Sequence, residues 1–286
     1  MTVSSLLTYK GKVDGILYDT GSDSPQGWIQ LFIGNNDDGA WAETASGNMK
    51  SARCFARPHF TVKSDGAQYI DIPYALFFPF NGAPEQGVVG GVAYVTNVGA
   101  HEGDWEHITV RLSIPGEEIV AIYYSAHGKA DSTWYFAPAA ALDDQNAYLQ
   151  QERGYKMLGG QVVAFAAKNS HGMYNRVGEA VLRTIGEKGA NSTERTLGGA
   201  LLPYEATGLG EKIDCGSKMD VVTPQDGNSG ETKLSWIKFP GRWGSYPPFG
   251  VLGDDGPLGP RFKDWWVATD PEIGTDAVRF NELESN

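Results

Sequence analysis

The stretch His101-Glu102-Gly103-Asp104-Trp105-Glu106-His107-Ile108-Thr109-Val110-Arg111-Leu112 decides how the chain is read. Its second half alternates β-branched or aliphatic residues with polar ones, the pattern of a strand. Successive strand side chains point to opposite faces. Asp104 and Glu106 then share a face with Ile108, Val110 and Leu112, whereas Trp105, His107, Thr109 and Arg111 take the other. The sequence thus predicts two carboxylates in line with an apolar, core-facing side, at the strand's start. Burying two carboxylates side by side is costly unless donors or a cation compensate them. Mg²⁺, Ca²⁺ and Mn²⁺ suit carboxylates, and nearby imidazole shifts the preference toward Mn²⁺, Fe²⁺ or Zn²⁺. The competing reading is a solvated strand rim paired with Arg and Lys.

Working outward, further strand-like runs occur at Gly27–Phe32, Ala67–Phe80, Ile119–Ser125, Gln161–Ala166 and Leu234–Phe239, most of them bounded by Gly, Pro, Asn or Asp. Helical spacing is confined to Val177–Gly189, with Val177, Val181, Leu182 and Ile185 on one face, and more weakly to Pro138–Gln151. Many strands with few helices predict an all-β or β-dominated two-sheet sandwich, with one or two peripheral helices and long loops. No composition break or linker divides the 286 residues, so one domain over 1–286 is expected. The 37 glycines and 15 prolines fit many turns and short elements.

The net charge is −12, which gives no general attraction to nucleic acid or to anionic membrane surfaces. No run of 18 apolar residues is present, so no transmembrane helix is expected. The N-terminal MTVSSLLTYKGKVDG lacks a basic segment followed by a long apolar run, which predicts a cytoplasmic protein, with a trimmed secreted form left open. Cys54 and Cys215 are too few for a disulfide framework and read as buried thiols, one disulfide being the alternative.

Four of the five histidines fall in polar clusters: His101 and His107 around the carboxylates, His127 in Ser125–Lys129, and His171 in Asn169–Tyr174. Two His-Gly elements at strand ends can converge with His101 on Asp104 and Glu106. That gives Asp104, Glu106 and His101 as metal ligands and His127 and His171 as partners, or as catalytic acid and base in an enzyme. His107 should face away and be structural. Ser125 and Ser170 lack a nucleophile elbow, which argues against serine catalysis. Trp134, Tyr174, Trp243 and Tyr246 are candidate stacking surfaces for a sugar, lipid headgroup or other small ligand.

The same segments carry a family resemblance. HEGDWEHITVRL resembles a signature of the vacuolar protein sorting-associated protein sixty-two family. Ser51–Pro84, with its aromatic-Pro-Phe-Asn-Gly run, Tyr123–Gly128, Lys168–Gly172, Trp236–Gly244 and Gly256–Trp265 are similar to further family segments in the same order, spanning roughly residues 50–266. The Asp-Trp-Glu core also resembles the heptapeptide of necrosis-inducing Nep-like proteins, β-sandwich cytolysins that hold a divalent ion. That resemblance implies Asp104 and Glu106 as ligands with His101 close by, although Gly103 stands where those toxins carry a histidine. The expected function is a divalent-cation site that binds a small molecule, sugar or lipid headgroup. The alternatives are a metal- or His-assisted hydrolase, lyase or cyclase, and a toxin-like membrane-active protein.

Overall fold

The computed structural model describes residues 28–29, 50, 52–82, 85–86, 88–89, 92–93, 100–126, 133–136, 140–141, 154–181, 203–207, 212–223, 237, 242–243, 257, 259–260, 263 and 266. Strands supply nearly all the regular structure among them, and the protein is β-dominated. Seven strands build the central sheet: β1 (Cys54–Ala56), β2 (His59–Val62), β3 (Gln68–Asn81), β4 (His101–Ser113), β5 (Ile119–Tyr124), β6 (Thr133–Phe136) and β7 (Met219–Val221). Their order is β6-β5-β4-β3-β1-β7, with β2 also pairing β3 beyond β1.

The centre is the long antiparallel ladder of β3 and β4, running from Tyr69 opposite Ser113 to Asn81 opposite His101. The expected alternation holds along β4. Val110 joins Ile122, Tyr124 and Tyr155 in one hydrophobic cluster, with Ile108, Leu112, Met157 and Val162 packed against it. Met157 and Val162 belong to the strands Lys156–Leu158 and Gln161–Val163, which therefore form a second layer over this face of the sheet.

The opposite face is the more deeply buried one, which corrects the expectation that the Ile108 side alone points inward. Trp105 packs against Phe77 and, edge-on, Trp243. His107 is fully buried beside Tyr123. Arg111 is buried because its charge is met: Nε and Nη2 donate to the two carboxylate oxygens of Asp71 at 2.7 and 2.8 Å. Asp71 also accepts from the Thr61 hydroxyl at 2.8 Å. The Trp134 ring lies 4.2 Å from the guanidinium carbon, so a cation–π contact covers a face of the guanidinium. A charge taken from water needs this kind of saturated geometry to be tolerated.

The helix expected over Val177–Gly189 is not formed in its described part. Gly178–Val181 is a strand paired antiparallel with Pro203–Thr207. Gly178 is a poor helix former, and cross-strand pairing overrides a short run that fits either period. Ala140–Ala141, inside the weaker helical candidate, is likewise a strand, pairing with Lys156–Met157. Of Leu234–Phe239 only Ile237 lies among the described residues.

Replacing Arg111 by Met strands the Asp71 carboxylate in the core and should lower unfolding free energy by about 3–5 kcal/mol in urea titrations. The double variant Asp71→Leu/Arg111→Met should lose clearly less. Equal losses in the two proteins would mean that the buried carboxylate is not the source.

Candidate functional site

Asp104 and Glu106 stand at the start of β4 on the face shared with Ile108, opposite Phe78 and Leu76 of β3. Asp104 is buried and Glu106 half-buried. Gly103, just before Asp104, has φ of 70°, a left-handed conformation that glycine adopts without a Cβ penalty. His101 Nδ1 lies 2.6 Å from the Gly103 carbonyl. Only a protonated Nδ1 can donate there, so the Nε2 lone pair is left as acceptor. This backbone-carbonyl bond is the support that metal-binding histidines commonly have.

His171 arrives from another part of the chain. The strands Phe165–Ala166 and Met173–Tyr174 form a short hairpin. Its turn is closed by Ala167 N–H to the Gly172 carbonyl at 2.9 Å and His171 N–H to the Ala167 carbonyl at 3.1 Å. Asn169 and His171 both have positive φ, 74° and 62°. Such a conformation costs a non-glycine residue roughly 1–3 kcal/mol and persists only when its surroundings enforce it. Two contacts do so. Gly82 at the end of β3 donates its N–H to the Asn169 carbonyl at 2.8 Å, and Met173 donates to the Ser125 carbonyl at 2.6 Å. A Cβ at Gly82 would stand 2.8 Å from Asn169 Cβ, so only glycine permits this approach.

The result is that the His171 ring stacks on Phe78, centroids 4.0 Å apart and planes 10° from parallel. Its Nδ1 lies 3.9 Å from Asp104 Oδ2. Burial, with His101 nearby, pushes the imidazole down to about 4, so His171 is neutral at pH 7. Ser125, at the end of β5, approaches the second carboxylate: its Oγ is 2.9 Å from Glu106 Oε2 and 2.5 Å from the His107 carbonyl, and accepts the His107 N–H at 3.1 Å. The single hydroxyl proton serves one of the first two at a time.

The structure therefore brings His171 to Asp104 at the start of β4, with His101 and Glu106 on the same strand and Tyr174 on the hairpin that carries His171. Trp134 and Trp243 are not brought to them. They pack on the other face of the sheet, against Arg111 and against Trp105. His107 lies on that face too, and burial holds its pKa well below the ordinary value. His127 and Tyr246 lie outside the described residues, although Ser125, two residues before His127, is hydrogen-bonded to the hairpin. Among the described residues no three His, Cys, Asp or Glu side chains stand together as a complete metal-ligand set. Ser125 as the partner of Glu106, and Phe78 as the platform for His171, were not foreseen. The available signal was Phe78-Pro79-Phe80-Asn81-Gly82, where a glycine after a run of bulky residues marks a close backbone approach.

The family model of vacuolar protein sorting-associated protein 62 matches residues 12–248. The chain belongs to this family. The match covers the β3–β4 ladder and the His171 hairpin; it begins well before the expected residue 50 and ends short of Gly256–Trp265. No curated protein matches the chain. Among solved structures, necrosis and ethylene inducing protein 2 from the causal agent of cocoa's witches' broom disease is similar at 18% identity and a TM-score of 0.27. The likeness covers 45% of this chain, which spans about half (47%) of that one.

Because His171 stays neutral down to about pH 4 while an unfolded histidine protonates near 6.5, the unfolded state binds more protons between these values. Stability should therefore fall as pH drops through that window, by about 3 kcal/mol for this residue. His59, held at about 4 chiefly by burial, adds to the same slope. Urea titrations from pH 7 to 4.5 should show a shallower loss in His171→Gln, by close to one proton; an unchanged slope would place the His171 ring in solvent. Gly82→Ala should cost about 1–3 kcal/mol by overpacking against Asn169.

Proposed function

We propose that this Vps62-family protein uses the end of its central sheet as a divalent-cation site, and that the ion presents a coordination position to an oxygen-bearing small ligand such as a sugar or a lipid headgroup. The observation that carries this reading is the His171–Asp104 pair. At 3.9 Å, Nδ1 and Oδ2 are too far apart for a hydrogen bond. Two ligands each bound 2.0–2.6 Å from one ion stand roughly 3–4 Å from each other. A neutral imidazole is the ligand-competent form, and His171 is kept neutral by burial. His101 supports the reading through its Nδ1 bond to Gly103, which leaves Nε2 as acceptor. Glu106 would complete the set from two residues along the same strand face, held by Ser125. Mixed carboxylate and imidazole donors favour Mn²⁺ or Zn²⁺ over Ca²⁺ or Mg²⁺. Tyr174, on the hairpin that carries His171, would be the aromatic residue to flank a ligand.

The same pair supports a second reading. A neutral imidazole beside a carboxylate is the arrangement of a general base oriented by an acid. In that reading His171 takes a proton from a bound substrate and Asp104 stabilises the imidazolium that forms.

The two readings separate in one experiment. Protein purified without chelator should carry close to one divalent ion per chain by elemental analysis. A saturating divalent salt should raise the melting temperature of the stripped protein by about 5–10 °C. Asp104→Asn/Glu106→Gln should lose both effects while remaining folded. A natural chain with no ion and no thermal shift would overturn the cation site and leave the acid–base reading.

A further inference from the structure

We infer that Cys54 and Cys215 are a disulfide-forming pair that fastens the edge strand β7 to the central sheet when the protein meets a small-molecule disulfide. The geometry rests on how β1 and the turn before β7 meet. Cys54 opens β1, is completely buried, and lies in parallel register with Met219 of β7. Its backbone N–H donates to the Lys218 carbonyl at 3.0 Å, and the Lys218 N–H donates to the Cys215 carbonyl at 3.3 Å. Both cysteines are thus anchored to one residue, and their side chains are hydrogen-bonded to each other. Both are free thiols. The Tyr74 phenol, opposite Ala56 on β3, is pushed up chiefly by burial, with both cysteines close enough to add to the effect.

The two thiols are not equivalent. Cys54, buried and donating its S–H, is pushed far up and stays protonated. Cys215 accepts that hydrogen bond and is lowered by it, against the opposing effects of burial and of the neighbouring Asp214 carboxylate. Cys215 is also partly exposed, whereas Cys54 is reached by no solvent. An accessible thiol next to a fully buried one is the division between an attacking and a resolving cysteine.

The reaction balances with a disulfide R–S–S–R as oxidant. The Cys215 thiolate attacks one of its sulfurs, forming a Cys215–S–S–R bond and releasing RS⁻. Cys54 gives its proton to the released thiolate and attacks Cys215 Sγ, expelling the second RS⁻, which takes up the proton lost when Cys215 first ionised. Two protein thiols are oxidised and one R–S–S–R is reduced to two RSH. The bond closes the loop from residue 54 to residue 215. It joins a three-residue strand, β7, to its partner by a covalent link in addition to the parallel pairing.

The test uses the full chain and oxidised glutathione. After incubation, alkylation of remaining thiols and digestion, non-reducing mass spectrometry should find the Cys54–Cys215 cross-linked peptide as the main product, lighter by two hydrogens. The melting temperature should rise by about 5–15 °C, reversibly with dithiothreitol. Cys54→Ala should trap glutathione on Cys215, and Cys215→Ser should leave Cys54 unmodified. The proposal is overturned if the natural chain still alkylates at both cysteines, or if Cys215 accumulates a stable glutathione adduct. The natural-chain result decides the matter even if a variant fails to fold.

Discussion

Arg111 and Asp71 stand directly opposite each other on β4 and β3, and their bidentate pair fixes the register of the longest ladder in the structure. A slip of one residue would turn every β4 side chain to the other face. Asp104 and Glu106 would then enter the aromatic layer around Trp105 and Trp243, while His107 and Trp105 would face the second layer of strands. A hydrophobic strand pair resists such a slip only through packing. Here it would also leave a guanidinium and a carboxylate unpaired in a site where both are almost wholly buried. The ion pair therefore acts chiefly on specificity of pairing, and the position of the site at the sheet's end depends on it.

From that register follows a division between the two faces. One is closed by aromatic rings and the saturated ion pair. The other begins with carboxylates and becomes apolar only from Ile108 onward. Polar groups collect where the strand emerges from under its cover, because their desolvation is smallest there. The His171 hairpin then partly covers this end, which raises the cost of charge on its imidazole. A neutral histidine, a buried aspartate and a glutamate held by a hydroxyl are thus a consequence of placing a tight turn over a polar strand start.

Much of this was legible in the sequence. The alternation of Asp104 through Leu112 could be read because period-2 patterning over six or more residues is a strong signal, and Gln68–Asn81 and Ile119–Tyr124 because their runs are rich in β-branched and aromatic residues. Which face is more deeply buried was not legible. An apolar count favours the Ile108 side, whereas the burial of Trp105, His107 and Arg111 depends on partners far along the chain, from Asp71 to Trp243. Val177–Val181 misled for the same reason, since a run that suits both periods is decided by Pro203–Thr207. At the site, His101 and His171 were singled out by their neighbours in sequence. That Trp134 and Trp243 serve the core could not be read from residue type, because a tryptophan suits a core and a binding surface equally well.

The hairpin turn of His171 is held by two backbone hydrogen bonds that reach different strands, one from Gly82 at the end of β3 and one to Ser125 at the end of β5. These strands flank β4 on either side, roughly 10 Å apart across it at the spacing of neighbouring strands. The turn consequently works as a clasp over the mouth of the sheet, spanning the start of β4 from one neighbour to the other. Fraying of β3 or of β5 at this end removes one of the turn's two anchors and so loosens the hold that keeps His171 against Phe78 and Asp104. The placement of His171 thus depends on both neighbours of β4 at once.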